Sequence, residues 1–417
     1  MKQFNLRHLM LAILATGLIT ACGGGGGSND TDTNDTSGSG GGYGDSSGDS
    51  SSSFPSQTAA PSMTVVNDNG TLLLAETGLS LYTFDNDTDN TSNCNGTADD
   101  TTTCAGVWPP LLATDDAAAT AKFTLITRSD GTMQWAYDMQ PLYTYIQDSS
   151  QGDVTGDGVN GVWHLARPMP LKIADVDGLA SYVANQTVQT ASDSSGTLSP
   201  FRADKEGFTL YTFDEDPINA SSCAGTCITA WPPLLADNGA KTTSPLSLVD
   251  VNGGLRQWAH RGKPLYLYIG DNAAGDNTGD EVDGTWQTAT LEPATFRTVS
   301  DNRYLSATGS VEVLMSNDGS NTDFSVMTMD KDGFALYTFD IDTANTSNCT
   351  GDCLVAWPAF VPSATDEAIG DFTIFTRADG SMQWAHKGMP VYFYAGDTER
   401  SHINGDNVGG VWHLIKP

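Results

Sequence analysis

The chain has 417 residues, of which 19 are Lys or Arg and 51 are Asp or Glu, and its formal net charge is −32 at pH 7. Because a field of that sign repels nucleic acid and anionic lipid headgroups, we expect no nucleic-acid partner and a preference for cations or basic partners. A hydrophobic content of 39% is sufficient for packed cores.

The first element is an export signal over residues 1–21. Two basic residues precede the apolar stretch "LMLAILATGLIT", which leads into "AC" at Cys22, and this order is typical of a cleaved signal peptide. Ile19, Ala21 and Cys22 also resemble the bacterial lipobox, in which the chain is cut before the cysteine and its sulfur carries a diacylglycerol. We therefore expect lipidation at Cys22, with a plain secretory signal as the alternative.

Residues 22–61 form the next segment, which consists almost wholly of Gly, Ser, Asp, Asn and Thr. Such a composition has too little apolar surface to offset the entropy of ordering the chain. We expect a disordered tether that holds the folded part away from the membrane. The protein is thus expected to be exported and lipid-anchored in the bacterial cell envelope, with the outer membrane as the expected location.

The remaining chain is an internal repeat of about 125 residues, which we divide into copy one (62–173), copy two (174–298) and copy three (299–417). Each copy is itself doubled, because a Tyr-x-[Phe/Tyr]-x-x-Asp motif occurs once in each half. The motif residues are Tyr82, Phe84, Asp87; Tyr143, Tyr145, Asp148; Tyr211, Phe213, Asp216; Tyr266, Tyr268, Asp271; Tyr337, Phe339, Asp342; and Tyr392, Tyr394, Asp397.

Short aromatic and β-branched runs bounded by Gly, Asp, Asn and Pro predict strands, about four in each half and about eight in each copy. In "LYTF" the Tyr and Phe should share one sheet face, and the Leu and Thr the other. We predict no helix beyond the signal peptide. The expected fold is all-β, with three tandem pseudo-two-fold β domains, each a sandwich or barrel; the alternative is one six-bladed β-propeller.

Six cysteines follow Cys22, two in each copy, and the second of each pair lies four residues before a Trp. In an oxidising compartment such pairs predict local disulfides. A c-type haem site would need a histidine at a fixed short spacing after the pair, and a zinc site would need a second close pair; the copies have neither. The predicted disulfide residues are Cys94, Cys104, Cys223, Cys227, Cys349 and Cys353.

Two kinds of metal site are conceivable. His386, His402 and His413 of copy three could together hold copper or zinc. The acidic loops 148–161, 271–284 and, with fewer carboxylates, 397–410 carry Asp and Asn oxygens among glycines, an arrangement that suits Ca²⁺. They lack the EF-hand order, and plain solvated turns are the favoured interpretation. The calcium candidates are Asp148, Asp153, Asp157, Asp271, Asp276 and Asp280. For the motif aspartates, capping of a turn through backbone N–H groups is the preferred interpretation.

The sequence offers no catalytic residue, since it contains neither a nucleophile elbow nor a phosphate loop. No cofactor is required, and Ca²⁺ is the one candidate. The six tyrosine and aspartate motifs, the "C…C…WPP" turns and the "QW…PLY…D…G…W" halves closely resemble the bacterial secreted-repeat lipoproteins, from Thr71 to the end of the chain.

That resemblance implies an exported, often lipid-anchored β protein, and it implies no activity. We expect a non-catalytic binding or structural module of the cell envelope, with the membrane as a partner through the lipid anchor and an envelope protein or glycan as a further partner. A redox-associated or metal-handling envelope protein is the alternative, and a hydrolase is less favoured.

Overall fold

The computed structural model describes residues 53–66, 69–120, 122–185, 187–193, 197–242, 244–299, 302–317 and 323–417. The predicted signal peptide, Cys22 and the first part of the predicted tether lie outside the described residues. Within this part of the chain the fold is all-β, as predicted, and it consists of many small sheets. No helix of the described ranges has the length and apolar character needed to cross a membrane.

The strands follow the three copies in chain order. Copy one and the residues before it contain β1 (Ser56–Gln57), β2 (Ser62–Val65), β3 (Thr71–Leu74), β4 (Tyr82–Phe84), β5 (Leu112–Ala113), β6 (Phe123–Thr127), β7 (Met133–Tyr137), β8 (Gln140–Pro141) and β9 (Trp163–Leu165). Copy two contains β10 (Leu171–Val176), which begins before its predicted boundary, β11 (Leu179–Ala184), β12 (Thr187–Asp193), β13 (Leu198–Asp204), β14 (Tyr211–Phe213), β15 (Leu246–Val251), β16 (Leu255–His260), β17 (Lys263–Pro264) and β18 (Trp286–Thr288).

Copy three begins with a strand that also starts before its predicted boundary. Its strands are β19 (Ala294–Val299), β20 (Asn302–Ala307), β21 (Ser310–Ser316), β22 (Phe324–Asp330), β23 (Tyr337–Phe339), β24 (Ala359–Val361), β25 (Phe372–Thr376), β26 (Met382–His386), β27 (Met389–Pro390) and β28 (Trp412–Leu414). Three short 3-10 turns precede the closing strands, at Val159–Gly161, Val282–Gly284 and Val408–Gly410.

Three short helices were not predicted: α1 (Cys104–Val107), α2 (Thr226–Ala230) and α3 (Asp352–Ala356). Each contains the second cysteine of its copy and ends at the following Trp. Helices of four or five residues are too short to show the 3.6-residue periodicity that reveals a helix in a sequence. Their place is informative nonetheless, because the helix brings the second cysteine back towards the first.

The two halves of a copy are interleaved. Strand β4 of the first half pairs antiparallel with β9, which closes the second half, and places Phe84 opposite Trp163. Tyr82 also exchanges two backbone hydrogen bonds with Tyr143 of the second half, at 2.8 and 3.0 Å. The same pairings recur as β14 with β18 and β23 with β28. The halves are therefore not separate blades of a propeller, and the described sheets form tandem β domains without a closed barrel.

Each copy has a core on either face of this central pairing. Tyr82 packs with Trp108 and Trp163 on one face, whereas Leu81 packs with Leu73 and Trp135 on the other. The predicted division of "LYTF" between two faces is confirmed, because alternate residues of a strand point in opposite directions. One core is aromatic and contains the disulfide, and the other is largely aliphatic.

Copies two and three contain an extra hairpin, β12–β13 or β21–β22, that has no counterpart in the described residues of copy one. Its first strand lies beside the segment after the "WP" turn, where Gln189 bridges to Leu235 and β21 pairs with β24. In copy one this position is taken by β1, which runs parallel to β5 with Ser56 opposite Leu112. The last residues of the predicted tether, 53–61, therefore already contribute a strand to the first domain.

Buried ion pairs join copy two to copy three. Asp332 is 1% exposed; its Oδ1 accepts a hydrogen bond from Arg297 at 2.9 Å, and its Oδ2 forms an ion pair with the ammonium of Lys263 at 3.1 Å. Arg297 also pairs with Asp214 of copy two. Burial alone would raise the pKa of Asp332, but Arg297 and Lys263 outweigh that effect and lower the pKa. Between copies one and two, Asp237 pairs with Arg167 at 3.5 Å; it also pairs with Arg202 of its own copy.

Candidate functional site

The motif tyrosines and aspartates form crossed pairs between the two halves of each copy. In copy one the hydroxyl of Tyr82 donates to Asp148 Oδ2 at 2.6 Å, and that of Tyr143 donates to Asp87 Oδ2 at 2.7 Å. All four side chains are buried. The corresponding pairs are Tyr211–Asp271 (2.9 Å), Tyr266–Asp216 (2.7 Å), Tyr337–Asp397 (2.6 Å) and Tyr392–Asp342 (2.6 Å).

The second oxygen of each motif aspartate caps the turn that follows it. Asp87 Oδ1 accepts from the backbone N–H of Asn93 at 2.7 Å, and Asp148 Oδ1 accepts from that of Thr155 at 3.1 Å. Comparable bonds bring Ser222, Thr278, Asn348 and Asn404 to their aspartates. Each carboxylate thus holds its own turn and the tyrosine of the other half.

Burial raises the pKa of all six motif tyrosines, and the neighbouring aspartates raise it further. Burial likewise raises the pKa of Asp87, Asp216, Asp342 and Asp397, although the hydrogen bonds that each receives oppose that shift. The pairs therefore hold neutral phenols that donate to carboxylates. This arrangement stabilises the fold, since buried polar groups need partners.

Beside the crossed pairs lies a stack of four aromatic rings. In copy one Phe84, Trp163, Trp108 and Tyr145 follow one another with centroid separations of 4.3, 3.9 and 4.1 Å. The two indole planes differ by 4°, while Tyr143 meets Trp163 edge-on at 5.2 Å. Copies two and three repeat the order as Phe213–Trp286–Trp231–Tyr268 and Phe339–Trp412–Trp357–Tyr394.

The three predicted disulfides are confirmed. They join Cys94 to Cys104, Cys223 to Cys227 and Cys349 to Cys353, with Cα–Cα distances of 5.1, 5.4 and 5.2 Å. Each lies in the aromatic core of its copy. The bond fixes the loop that leads from the motif aspartate to the Trp, and so positions one of the two stacked indoles.

In copies one and three a buried arginine donates a hydrogen bond to the backbone of the first disulfide cysteine. One nitrogen of the Arg128 guanidinium donates to Ser92 Oγ at 2.6 Å and to Gln134 Oε1 at 2.7 Å, while the other donates to the carbonyl oxygen of Cys94 at 2.8 Å. In copy three Arg377 donates to the corresponding groups, namely Ser347 Oγ (2.8 Å), Cys349 O (2.7 Å) and Gln383 Oε1. A guanidinium carries five N–H donors in one plane, so it can donate to these three acceptor oxygens at once.

Copy two has no arginine at this position. Val251 occupies the corresponding position. It lies opposite Leu255 in its hairpin, and Arg128 lies opposite Thr132, the counterpart of Leu255, in copy one. Beside Val251 is a cavity of about 280 Å³, and its lining includes Ser221, Cys223 and Gln257. These three are the counterparts of the groups that accept from arginine in the other copies. This cavity is the candidate functional site.

The calcium candidates are engaged in their own loops. Asp153 accepts from the backbone N–H groups of Ser149 and Ser150 at 2.9 and 2.8 Å. Asp276 accepts in the same way from Asn272 and Ala273. Asp157 and Asp280 accept from the closing strands, at Leu165 and Thr288. Calcium binding here stays a prediction, since backbone carbonyls and water could complete a coordination shell.

The three histidines of copy three are not brought together. His386 lies 3.9 Å from Asp371, His402 lies 3.9 Å from Glu399, and His413 lies 2.9 Å from Asp340. Across the described part of the chain, no group of three or more His, Cys, Asp or Glu side chains has an arrangement that could hold a metal ion. These three histidines therefore do not form the copper or zinc site that the sequence suggested.

Comparison with known proteins is consistent with this architecture. A family model described as a secreted repeat of unknown function matches the chain six times, at residues 63–112, 124–167, 203–235, 247–290, 327–361 and 373–416. Two matches fall in each copy, one to each half. No curated protein and no solved structure matches the chain.

Proposed function

Because the chain belongs to this family of secreted repeats of unknown function, we propose that it is a cell-envelope lipoprotein whose repeated β domains form a non-catalytic binding module. In this proposal Cys22 carries the lipid, and residues between it and copy one give the folded part reach from the membrane. The partner is an envelope protein or a glycan. Three similar domains on one chain would raise avidity for a partner that is itself repeated.

One observation carries the binding part of the proposal. The three copies share their crossed pairs, stacked rings and disulfides, but copy two replaces a buried arginine by Val251 and has a cavity there. The motif tyrosines and aspartates hydrogen-bond one another and are buried, so they are already used by the fold. A difference at a buried polar position between otherwise similar domains is a place where binding can arise without loss of the scaffold.

The anchor is tested by the variant Cys22→Ser in a cell that exports and lipidates bacterial lipoproteins. We expect the wild-type chain to incorporate labelled fatty acid and to sediment with membranes, whereas the variant should do neither and should remain folded with its disulfides. A matched control is Cys349→Ser with Cys353→Ser, which leaves the lipobox intact. Membrane association of Cys22→Ser equal to that of the wild type would contradict the proposed anchor.

A redox-associated role is the second candidate, and the stacked rings favour it. Two parallel indoles lie 3.7 to 3.9 Å apart in every copy, with a tyrosine at one end of the stack. After one-electron oxidation of tryptophan by pulsed azide radicals, the tyrosine could donate an electron and a proton to the indole radical. Replacing Tyr145, Tyr268 and Tyr394 with Phe should then abolish that transfer; an unchanged yield of tyrosyl radical would rule this pathway out.

A further inference from the structure

We propose that the cavity of copy two binds a guanidinium group, presented by an arginine side chain of a partner protein or peptide. The inference rests on the proposed binding function and specifies the chemistry of its ligand. Copies one and three show the same acceptor set occupied by the chain's own arginines. Copy two retains the acceptors and lacks the arginine.

The acceptor on Gln257 is held in the orientation that the other copies use. Its Nε2 donates to the carbonyl oxygen of Leu265 at 2.9 Å, as Gln134 Nε2 donates to Leu142 at 2.8 Å and Gln383 Nε2 donates to Val391 at 2.9 Å. Because the amide nitrogen is fixed, the amide oxygen faces the position that the guanidinium occupies elsewhere. Gln257 is 1% exposed and lines the cavity.

The hydroxyl and carbonyl acceptors are held equally well. Ser221 Oγ lies 2.8 Å from the hydroxyl of Tyr266, which itself donates to Asp216 at 2.7 Å. The corresponding serine and tyrosine oxygens are 2.7 Å apart in both other copies. The backbone of Cys223 is fixed by its disulfide to Cys227. The acceptors that line the cavity are therefore in place before a ligand binds, and this preorganisation reduces the entropic cost of binding.

Charge favours a cation at this site. Among the described residues that line the cavity, none is Lys or Arg, and Asp250 is present. In the other copies an aspartate two residues after the arginine pairs with its Nε, as Asp130 does with Arg128 at 3.6 Å. Copy two has Gly253 there, so the acidic residue beside its cavity is Asp250 instead. The net charge of −32 adds a long-range attraction for basic partners.

The geometry selects guanidinium over ammonium. Three acceptors fixed on different elements match the planar fork of arginine, whereas the ammonium of lysine is a compact point charge with a strong hydration shell. Apolar side chains of Leu198, Ile228 and Pro233 also line the cavity and offer a surface for the methylene groups of the arginine stem. Its volume, about 280 Å³, is near the lower end for small-molecule sites, roughly 300 Å³.

Titration of the full-length chain in detergent with acetyl-arginine-amide, followed by NMR or calorimetry, tests the inference. We expect one binding site per chain, and at least tenfold weaker binding of acetyl-lysine-amide and of the neutral isostere acetyl-citrulline-amide at equal ionic strength. Val251→Arg supplies the missing guanidinium from within and should abolish binding while raising the thermal stability. Val251→Leu is the matched control for size without charge.

The converse variant Arg377→Val should create the same cavity in copy three and raise the number of acetyl-arginine-amide molecules bound per chain from one to two. Its melting temperature should fall, and acetyl-arginine-amide should restore part of the loss. The Arg377→Val titration tests the guanidinium assignment even if Val251→Arg does not fold. Failure of the wild-type chain to bind acetyl-arginine-amide, or equal binding by Val251→Arg, would overturn the guanidinium assignment. The proposed envelope anchor fails separately, through membrane fractionation of Cys22→Ser.

Discussion

Removal of one crossed hydroxyl, by Tyr82→Phe, is the sharpest test of how a copy is held together. The substitution keeps the ring against Trp108 but leaves Asp148 Oδ2 without the donor that now lies 2.6 Å away. It also removes the acceptor of the backbone N–H of Gly156, at 3.2 Å. Both groups are buried, so water cannot readily replace the lost partner.

The expected cost follows from these contacts. A hydrogen bond to a charged group contributes about 1.5–3 kcal/mol, and a buried group left without a partner costs a similar amount. Since about 1.36 kcal/mol corresponds to a factor of ten, the equilibrium for opening copy one should shift by roughly 10- to 150-fold. Asp148→Asn should cost less in the Tyr82→Phe background than alone, because the two side chains share one interaction.

Hydrogen exchange followed by mass spectrometry measures this effect copy by copy, which a melting curve of three similar domains does not. Peptides from β4 and β9 should exchange faster in Tyr82→Phe, while peptides from copy three should be unchanged. Tyr145→Phe is the matched control, because Tyr145 stacks on the same Trp108 and makes no crossed pair. Equal effects of the two substitutions, or strict additivity of Tyr82→Phe and Asp148→Asn, would refute the reasoning.

Four further outcomes are expected. First, the motif tyrosines have raised pKa values in the folded protein, whereas unfolded phenols ionise near pH 10; the stability that these tyrosines contribute is therefore intact below pH 10 and falls above it. Phenolate absorbance should appear together with the loss of near-UV circular dichroism. Reversible appearance of phenolate in the folded protein would contradict this. Second, Cys349→Ser with Cys353→Ser should lower the free energy of unfolding by about 2 kcal/mol in the loop-entropy model and leave the count of free thiols unchanged; an unchanged melting curve, or a lower thiol count than in the wild type, would count against the bond. Third, Asp332→Asn removes the carboxylate partner of the buried Lys263 and one of the two carboxylates that pair with Arg297, and it should cost about 3–5 kcal/mol. The exposed Asp371→Asn should cost less than about 1 kcal/mol; equal effects in thermal melting would refute the role of the cluster. Fourth, if the acidic loops bind calcium, Ca²⁺ should raise the melting temperature of chelator-treated protein, and Asp276→Asn should reduce that shift; no shift would remove the calcium hypothesis.

Local pattern was enough to predict most of the strands, the two faces of "LYTF" and the three disulfides, whereas the predicted second tyrosine strands are reduced to isolated bridges at Tyr143, Tyr266 and Tyr392. Alternation places Tyr82 and Phe84 on one face whatever the strand pairs with, and Cys94 and Cys104 are close in sequence. The crossing of Tyr82 to Asp148 could not be predicted in this way, because the two residues are 66 positions apart. Nothing in the periodicity of either half shows which aspartate its tyrosine will meet.

The candidate site was missed for a different reason. A lone Arg128 after a strand looks like an ordinary surface residue, because arginine is seldom buried without partners. The signal was present in the comparison of the copies, where "TRSDG" and "TRADG" correspond to "DVNGG". A basic residue that is kept in two copies and exchanged for an apolar one in the third marks a changed environment, but only the structure shows that the partners of the arginine remain.

The crossing of the tyrosine and aspartate pairs also bears on how such a copy can arise. A half taken alone contains one motif tyrosine and one motif aspartate, and it leaves the tyrosine hydroxyl and one aspartate oxygen without the partners that they find in the other half. Two identical halves from separate molecules could satisfy both, in the manner of a two-fold symmetric dimer. Each copy thus has the connectivity of a homodimer whose subunits have been joined end to end. An excised half should therefore associate with a second half, and the covalent link replaces that dependence on concentration.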